Sequence, residues 1–409
     1  MGTRAESNSF HRTLAYITVL AQCFALLPVR GIAAPDAEAL RFRWLSLRVA
    51  YTAAVLLALL FMAFFCARHL LEEGGSFQDA HSHCIIFLPS ECVIFYGIAI
   101  ATYVLFVRMA ARWPDLGAQW RAVEHAQRCY GPAKRLRLRV LCVAGVLLAG
   151  ALVEHLLNEF SNFQAAGGSF RCYLLRSHRH LFHYVAFTPL LAAFATAAGA
   201  LATFSWSFMD LFLAVVSMAL AARFRLLNRH LLTAKGKYVP EAFWSQAREH
   251  YASLVALTDS LNDCVSSLVL LSFGSNLYFI CLQLFNSLKS LQHWYERLYF
   301  YWSFSFLLLR TVAMSLSVAE IYEESRSPRS VLYAVPTPCY GAEASRFLQM
   351  MCSCDVALTG LNFFKVTRSM LLTMAGTIVT YEVVLVQFSH SDAQAHVTTT
   401  ASTTTEFLM

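Results

Sequence analysis

Glu382 and Gln387 interrupt the apolar run TYEVVLVQF (Thr380–Phe388), and Arg310 interrupts another, Leu298–Ile321. Glu91, Glu154 with His155, His183 with Tyr184, Gln283, and the aromatic pair Tyr301 and Trp302 occupy similar settings. Polar groups in such surroundings are costly unless they meet a partner, a bound molecule or water, so each is a functional suspect. Glu91 stands out as the only acidic residue within its run. No nucleotide-binding loop, zinc motif or catalytic triad accompanies these residues, so neither an enzyme nor a cofactor is expected. The Cys352-Ser353-Cys354 triplet lacks the second ligand pair that a metal motif would need.

The elements that must position these residues follow from composition. The chain is 57% hydrophobic and only 14% charged, with mean hydropathy +0.51, whereas soluble domains carry about a quarter charged residues. It reads as an all-α integral membrane protein. A hydrocarbon core roughly 30 Å thick takes about 20 apolar residues as a helix. Runs of that kind occur at Val49–Ala67, Cys84–Val107, Val140–Leu157, Leu181–Ala222, Cys264–Leu288, Leu298–Ile321 and Met370–Phe388, which makes seven spans. The fourth, broken only by Asp210, is about twice as long as a bilayer needs. It either re-enters or continues past the lipid. A further apolar stretch, Leu14–Val29, fits a cleavable leader or a short re-entrant or surface helix.

Charge sets the orientation. On one side of the seven runs lie 25 Lys and Arg residues, and on the other six, with Arg310 inside the sixth run. Positive charge marks the cytoplasmic side, so the N-terminus is expected inside and the C-terminus outside. G-protein-coupled receptors also have seven spans but face the other way. The basic run KRLRLR at 134–139 abuts the third span and reads as an anchor near anionic lipid rather than a nucleic-acid site. Cys84 and Cys172 both fall on the outer side and are able to pair.

Two inner segments are too long for mere connections. In Arg223–Asp263, residues Ala247, Tyr251, Leu254, Thr258 and Leu261 share a helix face. In Glu323–Ser369, a Pro-rich loop precedes a stretch, EASRFLQMMCSCDVALTGLNFF, read as a helix ending near Lys365. The expected organisation is a cytoplasmic N-terminal segment (1–48), spans one to six (49–321, with cytoplasmic helical projections at 209–263), an anchor segment (322–369), a last helix (370–389) and an extracellular tail (390–409).

TYEVVLVQF resembles the C-terminal signature of insect gustatory receptors: a Thr-Tyr pair, four mostly apolar residues, then Gln-Phe. VLLSFGSNLYFICLQLFNSL (269–288), WSFMDLFLAVVSMALAARFRLLN (206–228), ARWPDLGAQWRAVE (111–124), ALVEHLL (151–157) and VLAQCFALLPVRGI (19–32) extend the likeness over nearly the whole chain, towards the sugar-sensing branch. Gly274-Ser275, where the family often has a more polar pair, and the Thr-rich tail 398–405 depart from it.

The resemblance implies a tetrameric, ligand-gated, non-selective cation channel in the plasma membrane of chemosensory neurons, alone or with related subunits. Its pore would be lined by the last helix. Gln387 would then form an amide ring facing water, and Val384, one turn earlier, a ring able to close the pore by dewetting. Glu382 lies on another face of that helix, with Arg310 as its expected buried partner; the alternative is a protonated Glu382 with Arg310 at the ligand. A sugar needs carboxylates or amides for its hydroxyls and flat rings for its apolar faces. Glu91, Glu154, His155, His183, Tyr184, Gln283, Tyr301 and Trp302, in the outer halves of the spans, are the expected ligand contacts. A bitter or other tastant is the alternative ligand. A secondary transporter is the alternative class, but it should show internal repeats, and none is evident.

Overall fold

A computed structural model describes residues 10–34, 37–75, 83–133, 135–287, 291–336, 340–384 and 387, with backbone alone for 37, 73–75 and 83–90. The chain is built from helices: α1 (Phe10–Cys23), α2 (Leu47–Gly75), α3 (His83–Ala126), α4 (Leu136–Ala165), α5 (Phe170–Ser177), α6 (Arg179–Phe182), α7 (Pro189–Leu232), α8 (Glu241–Ser287), α9 (Trp294–Arg326), α10 (Arg329–Tyr333) and α11 (Ala342–Ser353). A small antiparallel hairpin, β1 (Thr359–Gly360) with β2 (Phe364–Lys365), precedes α12, helical over 368–384 and again at Gln387. Six of these helices, α2, α3, α4, α7, α8 and α9, are long and apolar enough to cross a membrane, and α12 occupies the seventh expected run.

α7 does not re-enter. It is one unbroken helix of 44 residues, about 66 Å at 1.5 Å per residue. It starts at Pro189 rather than at Leu181, because proline favours the first helical position and disfavours helix in the residue before it. Thr188 caps it, its hydroxyl accepting from the Leu191 amide at 3.3 Å. Apolar on every side, α7 is the central helix, with 89% of its most apolar window buried. Small residues (Ala192, Ala195, Ala198, Ala202 and Ser205) let neighbouring helices approach it closely.

At the basic end, α3, α7, α8 and α9 run on beyond the length a bilayer needs and pack together. The stripe Ala247, Tyr251, Leu254, Thr258 and Leu261 of α8 is buried. Polar clamps join the projections. Arg225 meets Glu324 at 2.7 Å and also Glu320, Asn228 donates to Glu324 at 2.9 Å, Arg223 pairs with Glu124, and Arg248 lies 2.9 Å from Glu343. The Asp355 carboxylate accepts from Lys365 at 2.8 Å, which holds it below the usual carboxylate range.

One expectation changes here. The stretch after Gly341 is not helical to Lys365: α11 stops at Ser353, and 359–365 form the hairpin. Leu361 and Asn362 take positive φ values (48° and 62°), which end a helix, and the Asn262 side chain holds Thr359 through its amide (2.8 Å) and hydroxyl (3.2 Å). The Leu14–Val29 stretch, open from sequence alone to a leader or to a short re-entrant or surface helix, contributes to α1, which packs on the bundle. Phe10 stacks on Trp120 at 3.6 Å, Leu14, Ile17 and Ala21 are buried, and the Phe24 carbonyl accepts from the Tyr103 hydroxyl at 2.8 Å.

Candidate functional site

In the half of the bundle away from the basic end, five helices aim polar side chains inward. Its floor is an ion pair: Arg310 Nε of α9 lies 2.9 Å from Asp210 Oδ2 of α7, with both side chains essentially without solvent. Around it, Ser272 and Asn276 of α8 donate to the two Asp210 oxygens, Asn276 at 3.1 Å, and Arg310 donates to Ser207 at 3.1 Å. Trp206 offers its ring face to the guanidinium at 4.0 Å, a cation–π contact strengthened by desolvation. The pairing corrects the expected partnership of Arg310 with Glu382, which is exposed on α12. Hydropathy places residues in depth but not in azimuth, and α7, the central helix, faces α9.

Two turns further along α9, Ser303 is buried and donates to Glu154 Oε1 of α4 at 2.6 Å, while Gln283 of α8 donates to Ser303 at 3.2 Å. Gly150, one turn before Glu154, makes this approach possible, because a Cβ there would sit 2.2 Å from the Phe306 ring. Glu154 lies within electrostatic range of Arg310 and His155, and Tyr299 within range of Glu154, Glu91 and Glu159. Tyr173 of α5 donates to Glu159. The result is a polar column running from the Arg310–Asp210 floor toward the end of the bundle, flanked by the rings of Trp206, Phe306 and Phe279. Carboxylates, amides and hydroxyls beside aromatic faces are the groups that bind a polyhydroxylated molecule.

The structure therefore brings together Glu154 and Gln283 through Ser303, with Arg310 at the floor and His155 next to Glu154 on α4, while Glu91 of α3 is linked to them only by its electrostatic reach to Tyr299. His183 and Tyr184 are placed elsewhere, at the end of α2. There Tyr184 donates to Glu72 at 2.7 Å under the Arg68 guanidinium, and His183 Nε2 lies 3.9 Å from Glu72. Tyr301 and Trp302 are exposed (64% and 40%) on the outside of α9 rather than in the column. Sequence reasoning missed Asp210, Ser207, Trp206, Ser272, Asn276, Tyr299 and Ser303. Only Asp210 carried a signal, as the lone charge in a long apolar run. The side chain of Cys84 lies outside the described residues; Cys172 is exposed.

α12 has two unlike faces. Met370, Leu371, Met374 and Ile378 pack on the rest of the chain. Thr373, Gly376, Thr377, Thr380 and Val384 form an open face that Gln387 continues at helical spacing, and Val384 and Gln387 are both exposed. The threonines satisfy themselves: Thr373, Thr377 and Thr380 each donate to the carbonyl four residues earlier, at 3.2, 3.1 and 2.9 Å. An apolar helix so little covered by its own chain needs neighbours.

The model of the trehalose receptor family matches residues 3–397. The chain is 38% identical to the Drosophila melanogaster gustatory receptor 5a for trehalose, over 96% of this chain and 88% of that protein. It is 33% identical to the gustatory receptor for sugar taste 64f of the same fly, over 95% and 82%. In fold it is similar to the insect olfactory receptor OR5 of Machilis hrabei, solved with eugenol, at a TM-score of 0.67 and 14% identity over 91% of this chain and 97% of that one. A bundle with this architecture, matched along almost its entire length by one family, belongs to the trehalose receptor family of insect gustatory receptors.

Proposed function

We propose that this chain is a subunit of a sugar-gated, non-selective cation channel, a taste receptor for sugars or polyols in the plasma membrane of chemosensory neurons. The observation that carries the reading is the column of Glu154, Ser303 and Gln283 over the Arg310–Asp210 floor, in a chain whose relatives are named for trehalose and sugar taste. The excess of basic residues at one end supports an N-terminus inside and a C-terminus outside, so the column lies in the outer half of the bundle. The sparse cover of α12 supports assembly of four chains around it, as a homotetramer or with related subunits. The open face then lines the pore: Val384 closes it by dewetting, and Gln387 offers an amide ring to passing cations. A sugar seated in the column contacts α4, α8 and α9 together. It can shift their packing only by binding the open arrangement better than the closed one. The test is a panel of sugars, polyols and bitter compounds applied to cells expressing this chain alone. Cation currents evoked by sugars support the reading, and currents evoked only by bitter compounds overturn its ligand.

A further inference from the structure

Among the described residues, a second convergence of chemically active groups lies outside the column, at the outer end of the bundle in the orientation proposed above. Cys66 of α2 and Cys92 of α3 bring their Sγ atoms to 2.8 Å, and Cys92 Sγ lies 3.7 Å from Nδ1 of His180 on α6. The three atoms fall within 4.8 Å of one another. Cys66 is 1% exposed, and Cys92 and His180 are half-buried. The other ring nitrogen of His180 is buried without a hydrogen-bond partner among the described residues, so the imidazole is poorly satisfied as a polar group.

We propose that Cys66, Cys92 and His180 form a binding site for a zinc-class metal ion. With zinc–sulfur bonds of about 2.3 Å and zinc–nitrogen bonds of about 2.1 Å, a tetrahedral centre spaces a sulfur and a nitrogen ligand roughly 3.6 Å apart. The Cys92–His180 distance already fits. The two sulfurs must part by about 1 Å, which a small side-chain rotation at either cysteine supplies. Binding converts two thiols to thiolates, forms two metal–sulfur bonds and one metal–nitrogen bond from the neutral imidazole, and releases two protons to solvent. The resulting charge, a divalent cation with two thiolates, is zero, which suits a place of low dielectric. The fourth position is left for water.

Access is built in. His69, one helical turn beyond Cys66 on α2, packs its ring 5.5 Å from that of exposed His183, which faces Glu72. These side chains lead from solvent towards the sulfurs. A bound ion would tie the segment carrying α6 to the ends of α2 and α3. A Cys66–Cys92 disulfide is the competing chemistry for the same pair, but it would leave the imidazole with no role.

The test uses the purified full-length receptor, reduced, loaded with Zn²⁺ or Cd²⁺ and freed of loose ions. The expected result is one ion per chain, with thiolate-to-metal absorption for Cd²⁺. Retention is abolished in Cys66→Ser and Cys92→Ser, weakened roughly tenfold or more in His180→Ala, and unchanged in Cys172→Ser. Should the buried Cys66→Ser variant fail to fold, alkylation of the wild type gives a second reading: bound Zn²⁺ must protect Cys66 and Cys92 but not Cys172. Metal retention at the same level in the cysteine variants, alkylation indifferent to Zn²⁺, or a peptide map of receptor purified without reductant that shows Cys66 bonded to Cys92 would each overturn the site.

Discussion

Removing Asp210 probes the floor of the column. Its carboxylate faces Arg310 at 2.9 Å and accepts from Ser272 and Asn276, with no solvent at hand to replace any of them. Asp210→Asn keeps the shape and much of the hydrogen bonding but strands the guanidinium, and Arg310→Gln strands the carboxylate. Breaking a buried pair by removing one partner costs about 3–5 kcal/mol, whereas replacing both can be nearly neutral. The double variant Asp210→Asn/Arg310→Gln should therefore recover at least half of the summed single losses, a coupling of about 3–5 kcal/mol or more. For a protein of this size the single losses correspond to a fall in melting temperature of about 3–6 °C. The assay is thermal unfolding of the detergent-purified receptor, followed by its size-exclusion peak, beside surface expression. Glu382→Gln is the control and should melt like the wild type, because that side chain is exposed on α12. Double-variant damage equal to the sum of the single losses would refute the pairing. So would a melting loss in Glu382→Gln as large as that in Asp210→Asn.

Two further outcomes follow from the column and the last helix. Glu154→Gln weakens charge-assisted hydrogen bonds worth roughly 1.5–3 kcal/mol each, so the half-maximal sugar concentration should rise about tenfold or more; dose–response curves at matched surface expression check this, with reversal potentials unchanged. Gln387→Ala should leave assembly intact and alter conductance or relative ion permeability, and unaltered permeation would place Gln387 away from the pore.

Six of the seven expected spans were legible as helices long and apolar enough to cross a membrane, because hydropathy is a one-dimensional signal whose order needs no tertiary information. Errors arose where sequence is locally ambiguous. LFHYVAF reads as continuous with the fourth span, and only the geometry of Pro189 starts the helix later. DVALTGLNFF has apolar spacing compatible with a helix, but the left-handed residues Leu361 and Asn362 and the clamp from Asn262 make a hairpin. The column was half legible. Glu91, Glu154, Gln283 and Arg310 were visible as polar residues in apolar runs. Which of them meet depends on the azimuth of each helix, and that is fixed by packing around α7. Ser207, Ser272 and Ser303 gave no signal, since a serine in a span more often bonds to its own backbone. The Cys66, Cys92 and His180 cluster follows no motif spacing: Cys66 and Cys92 are 26 residues apart, and Cys92 and His180 are 88 apart. Three elements must assemble before it exists.

The central claim is that a sugar bound in the column opens a pore lined by α12. Its most direct measurement is single-channel recording from the purified chain in a planar bilayer, with trehalose and other sugars added to one side. The account predicts discrete unitary cation currents whose open probability rises with sugar, at a unitary conductance that Glu154→Gln leaves unchanged. Sugar-dependent transport that is slow, saturable and without unitary steps would contradict it.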